Sequence, residues 1–180
     1  MKRRVVFLDR DGTLNEDLGY VHRIADWRFT PQAVQAVRML RDAGFAVALV
    51  SNQAGIARGL FTAAAVDELH AQVRELLIRR GADLDAVAYC PHGPDEGCDC
   101  RKPRTGLARE VERQLGQSID YAASWTIGDK LSDLGFGMAL GTRTVLLRSR
   151  YWSNGELEGP PDLIAGCLEE AVRFLLDGLA

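Results

Sequence analysis

The chain has 180 residues, of which 47% are hydrophobic and 26% charged, and this composition is typical of a single globular domain. Its formal net charge of -3 predicts no general attraction to nucleic acid or to an anionic membrane surface. The apolar run near the N-terminus stops at Leu8, and no later run reaches the roughly 18 residues of a membrane span. We expect a cytoplasmic monomer, one domain over residues 1–180, with neither nucleic acid nor membrane as a partner.

Short apolar runs alternate along the chain with longer segments of helical period. The predicted strands, in chain order, are residues 5–8, 45–50, 86–89, 125–127 and 144–147. These runs are continuously apolar rather than alternating, which is typical of parallel strands that are buried on both faces.

Helices are predicted between these strands. They cover residues 30–44, 62–81, 105–116, a segment that begins at Ser132 or Asp133, and residues 168–176. Thr30 and Pro31 have the sequence of an N-cap followed by a first helical turn. The alternation predicts an α/β fold, a doubly wound parallel sheet in three layers, with ligands beyond the carboxyl ends of the strands.

Two aspartates follow the first predicted strand. Asp9 comes directly after the run VVFL, and Asp11 lies two residues later. Charge at the end of a buried strand needs a compensating cation, and both carboxylates lie at the ligand edge of the predicted sheet. Asp9 is a candidate nucleophile, and Asp11 a candidate acid that protonates the leaving oxygen and then, as a base, activates water. Taken alone, this run is equally compatible with an ordinary strand-to-loop turn.

Three further strand ends carry residues that suit phosphate chemistry. Ser51 follows the second strand, Lys102 lies in the loop after the third, and Asp129 follows the fourth. A hydroxyl and an ammonium can hold phosphoryl oxygens, and Asp129 can share Mg²⁺ with Asp9, which cancels the repulsion between a carboxylate and a phosphate. Each residue alone also fits a polar turn or a solvated charge, so their common position is what favours a phosphatase site.

The loop after the third strand, at about residues 90–104, carries the pattern C-x-H-x5-C-x-C. Its members are Cys90, His92, Cys98 and Cys100. Three thiols and an imidazole suit tetrahedral Zn²⁺, and four protein ligands leave no open position, so the pattern predicts a structural zinc site. The alternative is a set of free cysteines beside an unrelated histidine. Arg101 directly follows the last ligand, so zinc would fix the loop that delivers cations to the site.

The ordered set D-x-D-G-T, S-N-Q, R-K-P and G-D-x-x-x-D resembles the haloacid dehalogenase superfamily of phosphatases across nearly the whole chain. This resemblance implies the superfamily fold without a separate cap domain. It implies that Asp9 is the nucleophile and Asp11 the general acid and base, and that Mg²⁺ is held by Asp9, Asp129 and the backbone carbonyl of Asp11. Asp133 matches an acidic position of the superfamily and is expected to have a supporting role.

The same resemblance implies a set of residues that bind the substrate. Ser51, Asn52 and Lys102 are expected to contact the transferred phosphate. The runs SNQAGIARGLF and CPHGPDEGCDCRKP resemble more narrowly the family of D-glycero-D-manno-heptose 1,7-bisphosphate 7-phosphatases. That family implies removal of the C7 phosphate of a sugar bisphosphate in heptose precursor and lipopolysaccharide biosynthesis, with Arg101 and the loop around Arg58 facing the sugar or its second phosphate.

Other functions are compatible with parts of this pattern. Histidinol-phosphate phosphatase resembles the chain at several of the same motifs, and the loop after Asn52 is the feature that favours the heptose enzyme. A polynucleotide 3′-phosphatase is disfavoured by the acidic balance of charge. A zinc-stabilised binding module without catalysis would be expected to lack some of the catalytic residues, and all of them are present in this sequence.

Overall fold

A computed structural model of the protein describes residues 2–157 and 159–178. The strands are β1 (Val5–Leu8), β2 (Ala46–Asn52), β3 (Ala86–Cys90), β4 (Trp125–Gly128), β5 (Arg143–Leu147) and β6 (Leu163–Ala165). They form one parallel sheet in the order β3-β2-β1-β4-β5-β6. In its centre, Phe7 of β1 lies between Ala48 of β2 and Thr126 of β4.

Helices cover both faces of the sheet. They are α1 (Ala33–Asp42), α2 (Ala63–Ile78), α3 (Gly106–Leu115), α4 (Leu131–Leu140) and α5 (Leu168–Asp177), and short 3-10 turns lie at Ile24–Asp26, Tyr121–Ala123 and Asn154–Glu156. Apolar residues of α1, α2 and α5 share one core cluster, and those of α3 and α4 share the other. The three-layer, doubly wound α/β fold predicted from the sequence is confirmed.

The central strand β1 is buried on both faces. Val6 and Leu8 belong to one core cluster, whereas Val5 and Phe7 belong to the other. All four side chains have no exposed surface. This explains why the strand is a continuous apolar run instead of an alternating one.

The strand order changes direction beside β1. The chain runs from β1 outwards to β2 and β3 on one side, and then returns to β4, β5 and β6 on the other. A crevice forms at such a switch point because the two connections leave in opposite directions. Asp9 follows β1 and Asp129 follows β4, so the fold brings these two residues to one place although 120 positions separate them.

Two helices begin at other residues than expected. Helix α1 begins at Ala33, two residues after Pro31, because the Thr30 hydroxyl donates to the carbonyl oxygen of Thr13 at 2.6 Å and holds Thr30 to the preceding loop. Helix α4 begins at Leu131 with Lys130 as its N-cap residue. Asp133 therefore lies in the first turn, where its Oδ2 accepts a hydrogen bond of 3.0 Å from the amide of Lys130.

Strand β6 was not expected from the sequence. It has three residues, too few for a periodic pattern, and it pairs with residues 145–147 of β5. In the described part of the chain there is one sheet, and its carboxyl edge is bordered by loops and short turns instead of an inserted domain. None of the described helices combines the length and the apolar character needed to cross a membrane.

Candidate active site

Lys102 lies at the centre of the strand switch. Its Nζ atom is 2.6 Å from Oδ1 of Asp9, 2.6 Å from Oδ1 of Asp133 and 2.7 Å from the carbonyl oxygen of Val50. The lysine side chain is 2% exposed. Burial alone would lower the pKa of Lys102, but the carboxylates of Asp133 and Asp9 outweigh it and raise the pKa. The ammonium is therefore charged and faces the predicted nucleophile.

Three buried carboxylates surround this position. Side-chain oxygens of Asp9, Asp129 and Asp133 lie within 4.8 Å of one another. Burial, with the neighbouring Asp133, raises the pKa of Asp9 to about 6, and burial, with the neighbouring Asp9, raises the pKa of Asp129 to about 7. Like charges this close are costly to bury, and three carboxylates outnumber the two nearby ammonium groups, of Lys102 and of Lys130 at 3.6 Å from Asp129, so the cluster needs further positive charge.

The donor set of this cluster fits a hard divalent cation. Oδ1 of Asp129 is buried and has no hydrogen-bond partner among the described residues. The Nζ atom of Lys130 lies 3.6 Å from this oxygen. Asp133 is held more closely, because its Oδ2 accepts from the Lys130 amide at 3.0 Å and its Oδ1 lies 2.6 Å from Nζ of Lys102. Asp9 and Asp129 are therefore the side chains that could hold Mg²⁺, which prefers oxygen ligands, and Asp133 supports Lys102.

Two glycines make room for the carboxylates. A Cβ on Gly12 would lie 2.2 Å from Oδ2 of Asp129, and the φ of Gly12 is +87°, a conformation that other residues rarely adopt. A Cβ on Gly128 would lie 2.3 Å from Cγ of Asp133. Glycine at both positions lets the two loops approach closely at the switch point.

The carboxylate of Asp11 accepts four hydrogen bonds. Arg10 donates from Nη2 to Oδ1 and from Nε to Oδ2, both at 3.0 Å. Asn15 donates to Oδ1 at 3.0 Å, and Gln53 donates to Oδ2 at 3.1 Å. A carboxylate with two donors on each oxygen is held in one orientation.

Ser51 and Asn52 lie at the end of β2, beside Lys102. The Ser51 hydroxyl oxygen accepts a hydrogen bond of 2.7 Å from Gln53, which leaves its own hydrogen available to a phosphate. The Asn52 side chain pairs with the backbone of Lys102, with its Oδ1 accepting from the amide at 3.0 Å and its Nδ2 donating to the carbonyl at 3.1 Å. Asn52 thus fixes the backbone that carries Lys102.

The four predicted zinc ligands converge in one group. Cys90, His92, Cys98 and Cys100 place their ligand atoms within 4.8 Å of one another, with neighbours separated by 3.0 to 3.6 Å. Tetrahedral coordination at the Zn–S distance of about 2.3 Å would place sulfur atoms roughly 3.8 Å apart. Burial raises the pKa of Cys90, so this thiol gives up its proton more readily when a cation is nearby. Burial also opposes ionisation of Cys98, but the hydrogen bond from the Arg101 amide outweighs it and lowers the pKa of Cys98 to about 7. The donor set therefore fits a soft, tetrahedral metal ion.

The two predicted sugar-facing arginines lie on neighbouring loops. Arg101 donates from Nη1 to the carbonyl oxygen of His92 at 3.1 Å, so it is tied to the cysteine-rich loop. Arg58 donates to the Tyr20 hydroxyl, and its guanidinium carbon lies 5.7 Å from the centre of the Tyr20 ring. The amide of Ala57 donates to the Pro91 carbonyl at 3.2 Å, which joins the Arg58 loop to the cysteine-rich loop.

Comparison with known proteins assigns this site to a family. Residues 4–134 match the family model described as polynucleotide kinase 3 phosphatase, and residues 99–171 match the HAD-hydrolase-like model. The chain is 43% identical over 179 residues to a protein of Photorhabdus laumondii and 40% identical over 173 residues to one of Escherichia coli K12. Both relatives are named D-glycero-beta-D-manno-heptose-1,7-bisphosphate 7-phosphatase. The Photorhabdus match covers 94% of this chain and 94% of the relative, and the Escherichia match covers 92% of this chain and 90% of the relative.

The chain belongs to the haloacid dehalogenase superfamily of phosphatases. A solved structure agrees with this assignment, that of the D,D-heptose 1,7-bisphosphate phosphatase of B. bronchiseptica in complex with magnesium and phosphate. It is 33% identical to this chain, has a TM-score of 0.85 and is matched over 97% of this chain and 99% of its own.

Several residues of this superfamily site were not singled out in the sequence. Arg10 and Gln53 lie inside the motifs D-x-D and S-N-Q, yet only the structure brings both to Asp11. Lys130 lies 3.3 Å from Asp17 and 3.6 Å from Asp129, and Tyr151 donates to Asp17 at 2.7 Å. One signal for Lys130 was available in the sequence, which is that it directly follows Asp129. Tyr151 had none, because its partner is 134 positions away.

Proposed function

We propose that this chain is a magnesium-dependent phosphatase that removes the C7 phosphate of D-glycero-D-manno-heptose 1,7-bisphosphate through an aspartyl-phosphate intermediate. The observation that carries the reaction class is the buried group of Asp9, Lys102 and Asp129 at the strand switch. The names of the relatives from Photorhabdus and Escherichia, which match over nine-tenths or more of both chains, support this substrate in its β-anomeric form.

In the first step, a carboxylate oxygen of Asp9 attacks phosphorus. A bond forms between that oxygen and phosphorus while the bond from phosphorus to the C7 oxygen breaks, and Asp11 gives its proton to the departing oxygen. In the second step, Asp11 is ionised and takes a proton from water as the water attacks the aspartyl phosphate. The products are the sugar monophosphate, inorganic phosphate and free Asp9.

The phosphate is held while these bonds change. Lys102 is buried and charged, and it contacts Asp9 directly, so its ammonium is suited to neutralise the phosphoryl oxygens beside the nucleophile. Ser51 has a free hydroxyl hydrogen to donate, and one Nδ2 hydrogen of Asn52 remains for the substrate. Mg²⁺ held by Asp9, Asp129 and the backbone carbonyl of Asp11 would supply further positive charge against the phosphate.

The remaining part of the substrate is proposed to contact the two loop arginines. Arg58 and Arg101 belong to loops that the hydrogen bond from Ala57 to Pro91 joins together. Guanidinium groups suit a second, non-reacting phosphate because they can bind two of its oxygens at once. The partner is thus a small sugar bisphosphate, and the chain is proposed to act as a monomeric single domain.

The group of Cys90, His92, Cys98 and Cys100 is proposed to hold a structural Zn²⁺. The ligand set leaves no position for water or substrate, so the ion would have no direct part in the reaction. The ion would instead fix the conformation of the loop. Lys102 is only two residues from the last zinc ligand, so the position of its backbone determines whether its ammonium lies beside Asp9.

The test compares kcat/KM for heptose 1,7-bisphosphate, histidinol phosphate and a 3′-phosphorylated oligonucleotide. The bisphosphate is expected to be the best substrate by at least about 100-fold, and phosphorus NMR of the product should show loss of the C7 phosphate with the C1 phosphate intact. Equal or higher kcat/KM for histidinol phosphate would reject the heptose assignment in favour of that enzyme. Preference for the oligonucleotide would instead indicate a polynucleotide 3′-phosphatase, the activity named in the description of the matched family model.

A further inference from the structure

Arg10 lies between the two catalytic aspartates and has no exposed surface. Its Nη2 donates both to Oδ1 of Asp11 at 3.0 Å and to the carbonyl oxygen of Val21 at 2.7 Å, and its Nε donates to Oδ2 of Asp11 at 3.0 Å. Within residues 2–157 and 159–178, Asp11 is the one carboxylate at ion-pair distance from this guanidinium. A buried arginine with a single counter-ion depends on that ion, because an uncompensated buried charge is costly.

The surroundings of Arg10 keep this dependence on Asp11. His70 is 6% exposed, and burial, together with the nearby charge of Arg10, lowers the pKa of His70 to about 3. The imidazole is therefore neutral near pH 7 and neither repels nor neutralises the guanidinium. Among the described residues, Asp11 is the carboxylate that balances the charge of Arg10.

The guanidinium also sets the geometry of Asp11. Two parallel N–H donors on one planar group fix the plane of the carboxylate, which single donors such as Asn15 and Gln53 cannot do. Through Nη2, the same group is bonded to Val21, which is buried in the loop that follows Asp11. The position of Asp11 is thus coupled to the segment of this loop that carries Tyr20, the partner of Arg58.

We propose that Arg10 is a positioning residue for proton transfer by Asp11. This proposal rests on the proposed role of Asp11 as general acid and base. When the bond from phosphorus to the leaving oxygen breaks, the proton of Asp11 moves to that oxygen and Asp11 becomes a carboxylate. The four donors on Asp11 match this ionised form, because a carboxylate is an acceptor only. Arg10 therefore keeps the carboxylate of Asp11 in one orientation during proton donation and for the water of the second step.

The experiment uses two substrates that differ in their need for an acid. The sugar phosphate has an alkoxide leaving group that requires protonation, whereas the phenolate of p-nitrophenyl phosphate leaves without it. The parameter kcat/KM covers events up to departure of the leaving group, so the later use of Asp11 as a base does not enter it. Arg10→Lys keeps the charge without the two parallel donors, and Arg10→Gln keeps a planar donor without the charge.

For both variants, kcat/KM for the sugar bisphosphate is expected to fall about 10- to 100-fold, within the range attributable to acid catalysis, while that for p-nitrophenyl phosphate falls less than about 3-fold. The matched control is Arg41→Lys, at an arginine whose Nη1 lies 2.7 Å from Oδ2 of Asp85 before β3, at the opposite edge of the sheet. This control should leave both substrates unaffected.

Equal losses for the two substrates, or no loss for either, would overturn the proposal and leave Arg10 with a structural role. Failure of both variants to fold, seen by circular dichroism, would also overturn it. Asp11→Asn separates this from failure of the proposed function. If Asp11→Asn shows no selective loss of kcat/KM for the sugar phosphate, Asp11 is not the acid and the proposed function fails. If Asp11→Asn shows that selective loss and the Arg10 variants do not, only the role of Arg10 is rejected.

Discussion

The ammonium of Lys102 lies 2.6 Å from Oδ1 of Asp9, and these two side chains are 2% and 7% exposed. The lysine follows the cysteine-rich loop after β3, whereas the aspartate follows β1, so the contact joins residues 93 positions apart. The cation that would receive the phosphate is thus already in place against the proposed nucleophile. Substitutions at Asp9 must therefore be judged by their effect on Lys102 as well as on turnover.

Asp9→Asn is expected to reduce phosphate release on the order of 10⁴-fold or more, because an amide cannot attack phosphorus. The fold should survive, since the substitution conserves volume and the amide oxygen can still accept from Lys102. Removing one of three clustered carboxylates should leave the Tm unchanged or raise it when Mg²⁺ is absent. Single-turnover assays and thermal unfolding measure the two effects. Turnover above a small fraction of that of the unsubstituted enzyme would remove Asp9 as the nucleophile.

The stability of the metal-free protein should fall as the pH rises from about 4 to about 7. The pKa of Asp9 is raised to about 6 and that of Asp129 to about 7, both from 3.8. Between these values the folded state binds more protons than the unfolded state, so unfolding becomes easier as the pH increases. In the proposed site, bound Mg²⁺ would offset the charge of both groups once they are ionised.

The corresponding measurement is the increase in Tm on addition of Mg²⁺, at pH 5 and at pH 8. We expect the larger increase at pH 8, where the carboxylates are ionised without the metal. Asp129→Asn serves as the control and should remove most of the pH dependence. An increase in Tm that is the same at both pH values would contradict the proposed binding of Mg²⁺ by these carboxylates.

Gly12→Ala should weaken Mg²⁺ binding about 10- to 100-fold, because the new Cβ would lie 2.2 Å from Oδ2 of Asp129 and force that ligand to move. Backbone strain is a separate effect, since φ at Gly12 is +87°. Gly19→Ala is the matched control: its φ is +77° and no atom lies within 4 Å of the new Cβ. Titration of activity with Mg²⁺ should shift only for Gly12→Ala, and equal shifts would assign the effect to strain.

Cys98→Ser should cause loss of zinc and lower the Tm by roughly 10 °C. In a chain of this size 1 kcal/mol corresponds to about 2 to 4 °C, so this shift means a loss of roughly 2.5 to 5 kcal/mol in the free energy of unfolding. It should also raise KM through displacement of Lys102, four residues further on. Cys167→Ser is the control, because Cys167 is exposed and lies outside the group proposed to hold zinc. Metal analysis by mass spectrometry checks the first point. Purified protein that is fully active without zinc would contradict the proposed site.

Arg58→Ala should lower kcat/KM for the heptose bisphosphate by about 10-fold or more, and affect a monophosphate of the same sugar little. The loss reflects one charge-assisted contact with the second phosphate. Tyr20→Phe should produce a smaller loss in the same direction, since the Tyr20 hydroxyl accepts from Arg58. Arg79→Ala is the control, at an exposed arginine at the far end of α2. Equal losses on both substrates would place Arg58 outside the binding of the second phosphate.

The sequence by itself determined the fold class and the local chemistry of each loop. The strands of the centre are continuous apolar runs because both of their faces are covered, and this pattern can be read without coordinates. Asp9, Ser51 and Asp129 were identifiable because each lies at the end of such a run. The cysteine-rich pattern predicted its own cluster since all four ligands lie between the last residue of β3 and Cys100, where spacing limits the separation of their side chains.

Only the tertiary structure decided which distant groups meet. The placement of β1 beside β4 brings Asp9 to Asp129, and the path of the cysteine-rich loop places Lys102 on Asp9. Strand β6 is too short to have a pattern of its own and exists because β5 offers an edge. The enclosure of Arg10 between Asp11 and Val21 is likewise invisible in the sequence, where this arginine resembles a solvated charge. Such contacts depend on the packing of the whole sheet, because their free energy comes from burial that no single segment can provide.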